Sequence, residues 1–166
     1  MMETEAIMRN NPTMQRWSTV PLRLIVGYGF IVHGYSKIVN GPGQFAAILQ
    51  ALRVPMPRVA AWATIGIELV GGFAVLAGAW IPIVSVPLAA VLLVAVITVH
   101  LPYGFSSIKL RAVTAAGPQF GPPGYETSLL YLAALVTLVL GGAGPLSLEQ
   151  WLADRRDRDR RSGINL

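Results

Sequence analysis

"IPIVSVPLAAVLLVAVITVHL", residues 81–101, decides the fold class. A run of roughly 18 or more apolar residues reads as a membrane span, because about 20 helical residues cross the hydrocarbon core. This run has almost no polar face, whereas a helix on a soluble core keeps one. The rest of the chain agrees with it. Of 166 residues, 54% are hydrophobic and only 13% charged, and mean hydropathy is +0.56. Soluble domains carry about 25% charged residues. The reading is an all-α integral membrane protein, in preference to a soluble four-helix bundle.

Three more spans can be drawn around this one. The first runs from Pro21 to Ile38, capped by Ser18 or Thr19, with Pro21 suited to an early helical position. The second runs from Arg58 to Ala79. The third is the quoted stretch, with Pro87 expected to bend it or lie near its first turn. The fourth runs from Pro123 to Leu140 and stops at Gly141-Gly142. Residues 20–142 are thus expected to form a four-helix membrane bundle. Residues 1–19 form a loose N-terminal tail without a signal-peptide pattern. Residues 143–166 form a charged C-terminal tail, fraying from an amphipathic turn around Leu146 to Leu152.

Arginines set the expected orientation. Arg9, Arg16 and the run Arg155, Arg156, Arg158, Arg160 and Arg161 fall on one side, against Arg53, Arg58, Lys109 and Arg111 on the other. The positive-inside rule places both termini in the cytoplasm of a multi-pass protein. A net charge of +5 and a pI near 10.1 suit anionic lipid. No aromatic-basic interleaving speaks for nucleic acid.

Two loops then face outward. Phe45, Ile48, Leu49 and Leu52 recur at helical spacing, which predicts a short interfacial helix in the first loop. The second, Pro102 to Pro122, is rich in Gly, Pro and aromatic residues. It reads either as a lid folded over the bundle mouth or as an aromatic belt on the headgroups.

The chain has no cysteine. That removes thiol redox pairs, thiolate-bound zinc, iron–sulfur clusters and covalent haem attachment. No Walker, Rossmann or HExxH motif occurs, and no metal site is expected.

The chemistry-bearing residues are those at membrane depth, where ionisable groups are costly and a partner is expected. Glu68, in "GIELVGG", lies roughly 15 Å down the second span. His33 lies roughly 7 to 8 Å below the outer end of the first, with Lys37 at the rim. His100 ends the third span and Glu126 starts the fourth. His33 is the first choice as partner of Glu68, with Arg23 and Lys37 behind it. Arg23 can instead snorkel to headgroups. Each has a plainer role: Lys37 as an anchor, His100 on end carbonyls, Glu126 at a helix dipole. Gly27, Gly34, Gly66, Gly71, Gly72 and Gly78 can form close helix seams.

"RLIVGYGFIVHGYSKI", residues 23–38, and "ELVGGFAVLAGAWIP", residues 68–82, resemble the first two spans of the DoxX family of small bacterial four-helix membrane proteins. The resemblance runs from about Arg23 to Leu140. It implies a cytoplasmic-membrane protein tied to electron transfer. Relatives resemble the quinone-reducing subunit of an oxidoreductase; others are similar to a membrane partner of oxidative-stress enzymes. Many members have no assigned reaction, so no catalytic residue transfers.

Three functions stay open. One is a quinone-binding subunit of a redox complex, with His33, Glu68 and His100 supplying protons near Tyr103 and Tyr125. One is a non-catalytic anchor for a partner subunit or a second copy. One is a small proton-coupled carrier. Haem is a weak option, because two histidines are the minimum for it.

Overall fold

The computed structural model describes residues 12–163 of the chain, which are mostly helical. A short helix α1, Pro12–Trp17, leads into α2, Thr19–Val39. Then come α3, Pro42–Ala51, and α4, Pro57–Ala77. Helix α5, Ile81–Ala95, continues through a π turn, Val96–His100, into a 3-10 turn, Leu101–Tyr103. After a hairpin come α6, Glu126–Gly141, and α7, Leu148–Gly163. The expected N-terminal tail lies mostly outside the described residues.

Helices α4 and α5 with its two turns are long and apolar enough to cross a membrane. Helix α2 has 21 residues, but Arg23, His33 and Lys37 interrupt its apolar sequence. Helix α6 is apolar and shorter, at 16 residues. These four pack in a closed ring: α2 on α4, α4 on α5, α5 on α6, and α6 back on α2. The start of α2, the α4–α5 turn and the end of α6 share one end, here the terminal end, because α1 and α7 attach there. The opposite, loop end carries α3 and the hairpin.

The closest approach is between α2 and α4. A Cβ on Gly27 would stand 2.7 Å from the Leu76 nitrogen, and one on Gly72 would stand 2.9 Å from the Ile31 nitrogen. Both obstacles are backbone, so only glycine lets the two helices meet there. Gly71 likewise admits Leu88 of α5, and Gly34 admits Leu69 and the Cβ of Glu68. Gly66 has nothing within 4 Å, so it is not part of this seam, contrary to expectation.

The core fills the terminal half of the ring. Val26, Phe30, Val75, Ile81, Leu88, Leu135 and Leu138 are buried together there. A second, smaller cluster, Ala46, Leu49 and Ala61, seats α3 on the start of α4 at the loop end. The expected short helix is therefore present, packed through Ala46 and Leu49, while Ile48 faces outward.

The all-α expectation needs correction. Strand β1, Leu110–Thr114, pairs antiparallel with β2, Gly117–Phe120, around a turn at Ala115-Ala116. The Gly and Pro spacing of this segment reads as loop, yet "LRAVT" is β-branched enough to form a strand once a turn closes it. The hairpin is exposed on both faces. The other boundaries shift modestly. Helix α2 starts at Thr19 without a side-chain cap from Ser18, and α6 starts at Glu126, three residues after Pro123. The C-terminal segment differs most: its charge block is helical to Gly163, where a frayed turn was expected.

Candidate functional site

Glu68 is 5% exposed and faces the interior, on the side of α4 turned toward α2. Its partner is Lys37. The ammonium Nζ donates to Glu68 Oε2 at 2.6 Å and to the backbone carbonyl of His33 at 3.3 Å. It also stands 5.3 Å from the centre of the Phe45 ring of α3. One lysine thus touches α2, α3 and α4. Its long stem explains why it wins over His33: from the rim of α2 it reaches back down one turn, a snorkelling residue turned inward instead of outward.

His33 is not the partner of Glu68. Its ring sits edge-on to Tyr131 of α6, with centroids 6.3 Å apart. Tyr131 also stands edge-on to Phe30 at 5.3 Å. Gly29 makes this possible, because a Cβ there would fall on the Tyr131 hydroxyl.

Arg23 also departs from expectation. It is 3% exposed and neither snorkels nor approaches Glu68. Nη1 donates to the Ala143 carbonyl at 2.6 Å and Nη2 to the Leu146 carbonyl at 3.0 Å. These carbonyls lie in the connection between α6 and α7, outside any helix, so no helical ladder supplies their donors. Arg23 is a clamp at the terminal end. Gly78, at φ +67°, leaves room for its guanidinium.

Between the terminal core and the α3 plug lies a cavity of about 670 Å³. Its walls are mostly apolar: Phe30, Phe45, Ile67, Val91 and Val94 contribute from four helices. His33, Lys37, Glu68, His100 and Tyr131 line it as well, joined by the hydroxyl residues Thr64, Thr98, Thr127 and Ser128. The space exists because the small contacts that draw α2, α4 and α5 together cluster in the terminal half. Toward the loop end the lining of α4 and α5 includes Ala60, Ala63, Ala90 and Ala95, too short to fill the gap. The π turn adds to it. Such turns insert an extra residue per turn and are frequent at functional sites; here Thr98, Val99 and His100 all reach the lining.

The loop-end rim is held by polar contacts. His100 Nδ1 donates to the Pro123 carbonyl at 3.1 Å. Glu126 Oε2 accepts from the Ser107 amide at 2.9 Å, and the Ser107 and Thr127 hydroxyls are 2.9 Å apart. Gly124 is packed under the carbonyls of Gly104, Phe105 and Ser106. The root of the long loop therefore folds over the mouth, through Pro123 and Gly124, while the hairpin contributes nothing to the lining. Tyr103 and Tyr125 do not line the cavity either, and Tyr125 packs edge-on to Phe105 at 5.7 Å. Glu126 orders the loop beside the site, its carboxylate holding the Ser107 amide. Of the eight residues expected at the site, four meet at the cavity: His33, Lys37, Glu68 and His100. Tyr131 was missed. The only sequence signal for it is a lone phenol in the apolar run "SLLYLAALV", on the same helix face as Ser128.

A family model for DoxX matches residues 18–101. The chain belongs to the DoxX family. No curated protein and no solved structure matches it. With two helices apolar and long enough to span a bilayer, it is a DoxX family membrane protein. The matched DoxX region covers α2 to the end of the π turn and so contains Arg23, His33, Lys37, Glu68 and His100. The hairpin, Tyr131 and α7 lie beyond it.

Proposed function

We propose that this DoxX protein crosses a bacterial inner membrane four times, through α2, α4, α5 and α6, and holds a lipid-soluble quinone in its cavity as part of a redox complex. The charge distribution supports a cytoplasmic terminal end, by the positive-inside rule. The observation that carries the ligand reading is the cavity itself. About 670 Å³ lies within the range of small-molecule sites, and such sites pair apolar walls with a few convergent polar groups.

The polar wall suits a quinone headgroup. Lys37 Nζ has three N–H donors and spends two, on Glu68 and on the His33 carbonyl. One donor and the second Glu68 oxygen are left for a bound carbonyl or hydroxyl. Quinone reduction takes two electrons and two protons. Electrons come from a redox partner of this chain, and His33, Glu68 and His100 are the groups able to exchange protons with the headgroup. The apolar walls accept the ring and the start of its tail.

The test is extraction of quinone from protein purified in mild detergent, beside a Thr64→Phe variant that fills the cavity. Quinone near one per chain, lost in Thr64→Phe at an unchanged melting temperature, is the expected result. Absence of quinone, with no rise in melting temperature when a soluble quinone analogue is added, overturns the reading.

A second reading has its own observation. The Gly27–Gly72 crossing, the Lys37–Glu68 pair and the Arg23 clamp all tie helices together. An accessory subunit that only anchors a partner needs no more than that. It predicts a co-purifying enzyme and an indifferent cavity.

A further inference from the structure

We propose that α7 is an amphipathic anchor that lies in the headgroup layer at the terminal end and grips anionic lipid. This rests on the membrane reading of the chain and is independent of what the cavity holds.

The root of α7 is fixed to the bundle. Arg23 holds the carbonyls of Ala143 and Leu146 just before it. Glu149 Oε1 accepts from the Trp80 amide at 2.7 Å, and the Glu149 amide donates to the Gly78 carbonyl at 3.4 Å. Ser147 is buried, and its hydroxyl accepts from the Gln150 amide at 3.2 Å. The helix therefore leaves from the α4–α5 turn at a set place.

That place is marked by indole rings. Trp17, Trp80 and Trp151 are all at the terminal end and 48%, 62% and 45% exposed. Tryptophan collects at membrane–water interfaces, where an apolar body and an N–H donor are both accommodated. The three rings put the start of α7 at that level.

The helix itself is two-faced. Leu148, Trp151, Leu152 and Arg155 recur at spacings of three and four, which sets them on one stripe. Leu148 and Leu152 are each 38% exposed, so the stripe is only partly covered by protein. Arg155 lies over the Trp151 ring at 3.9 Å, and by helical geometry Arg156 and Arg158 flank the stripe. Asp154 and Asp157 fall on the opposite side, and Asp159 returns to the stripe one turn beyond Arg155, so the two-faced stretch runs from Leu148 to Arg158. Within that stretch, acid away from the apolar stripe and guanidinium along its edges is the arrangement that lets a helix sink its leucines and indole while its arginines meet phosphates. Charge complementarity thus selects a negatively charged lipid surface.

The chain lacks cysteine, so single labels can be placed freely. Leu152→Cys, Asp157→Cys and Val86→Cys, each carrying an environment-sensitive fluorophore, would be reconstituted into nanodiscs of phosphatidylcholine with and without phosphatidylglycerol. Val86, exposed on α5, reports lipid in every case; if it reports water, the membrane reading itself fails. The label at 152 should report the acyl boundary and that at 157 water, with the difference largest in anionic discs and reduced by high salt. Replacing Arg155 and Arg156 by Gln one at a time should lower the docking equilibrium constant about fivefold each in anionic discs, while helicity of the purified protein is unchanged. Equal aqueous signals at 152 and 157 in both lipids overturn the proposal. So does burial of the 152 label that is indifferent to lipid charge and persists in neutral detergent, which would mean a protein surface, this chain's own or a second copy's, covers the stripe.

Discussion

Removing the Glu68 charge should reveal how much of the bundle depends on one ion pair. The Glu68 side chain is 7% exposed and that of Lys37 20%, with 2.6 Å between the bonded atoms. The pair is mostly dry, so its two charges depend on each other. Deleting one partner of a buried pair strands the other, at about 3 to 5 kcal/mol. Glu68→Gln should fall at the lower end, about 3 kcal/mol, because Lys37 retains a fifth of its exposure and the His33 carbonyl. Lys37→Met leaves a carboxylate with less access to water and should cost about 4 kcal/mol. The double variant strands nothing. It should be no worse than Lys37→Met alone, a coupling of about 3 kcal/mol.

Reversible unfolding in mixed detergent micelles measures all four proteins, with His33→Gln beside them as a cavity-lining change that leaves both charges of the pair in place. Two results would refute the reasoning. Losses that add to within about 0.5 kcal/mol would show that the residues do not interact. A Glu68→Gln change costing under about 1 kcal/mol would mean that Glu68 is already protonated, its role then lying in proton transfer and not in assembly.

Arg23→Met should cost about 2 to 4 kcal/mol, from two charged-donor hydrogen bonds to Ala143 and Leu146, and should expose the α6–α7 connection to protease before the bundle melts. Gly72→Leu should abolish the folded bundle, since a Cβ alone meets the backbone of α2 at 2.9 Å, whereas Gly66→Ala should leave the melting temperature level or raised, as nothing lies within 4 Å and a mid-helix glycine is replaced. For orientation, a cysteine at Ala115 in the hairpin turn should react with an impermeant thiol reagent on intact cells and one at Asp157 should not; the reverse pattern inverts the topology.

What was legible follows the range of the interaction that decides each feature. The apolar run at residues 81–101 announces its own helix, and Gly71-Gly72 beside Glu68 announces a tight seam, because both are written in neighbouring residues. Depth along a helix was also legible, and it brought His33, Lys37, Glu68 and His100 to one half of the bundle. Which of them bond was not. Depth favours His33 for Glu68, but a histidine is short, and its ring was claimed by a tyrosine about a hundred residues later through a gap that Gly29 leaves open. Lys37 looked like a rim residue because rise per residue locates a Cα and not an ammonium at the end of four methylenes. Arg23 misled for the opposite reason: its partners are backbone carbonyls after α6, and no sequence pattern distinguishes a carbonyl that lacks a donor from one that has it. The hairpin hid because strand pairing needs both strands and the turn at once, while Gly and Pro in the window argue for loop at every single position. The cavity inherits all of these. It is a space left where α4 and α5 bear alanine, bounded at one end by a glycine-permitted crossing and edged at the other by His100 and Pro123. A space of that kind is fixed by four helices together, so its walls could be guessed only as far as each helix face could be read alone.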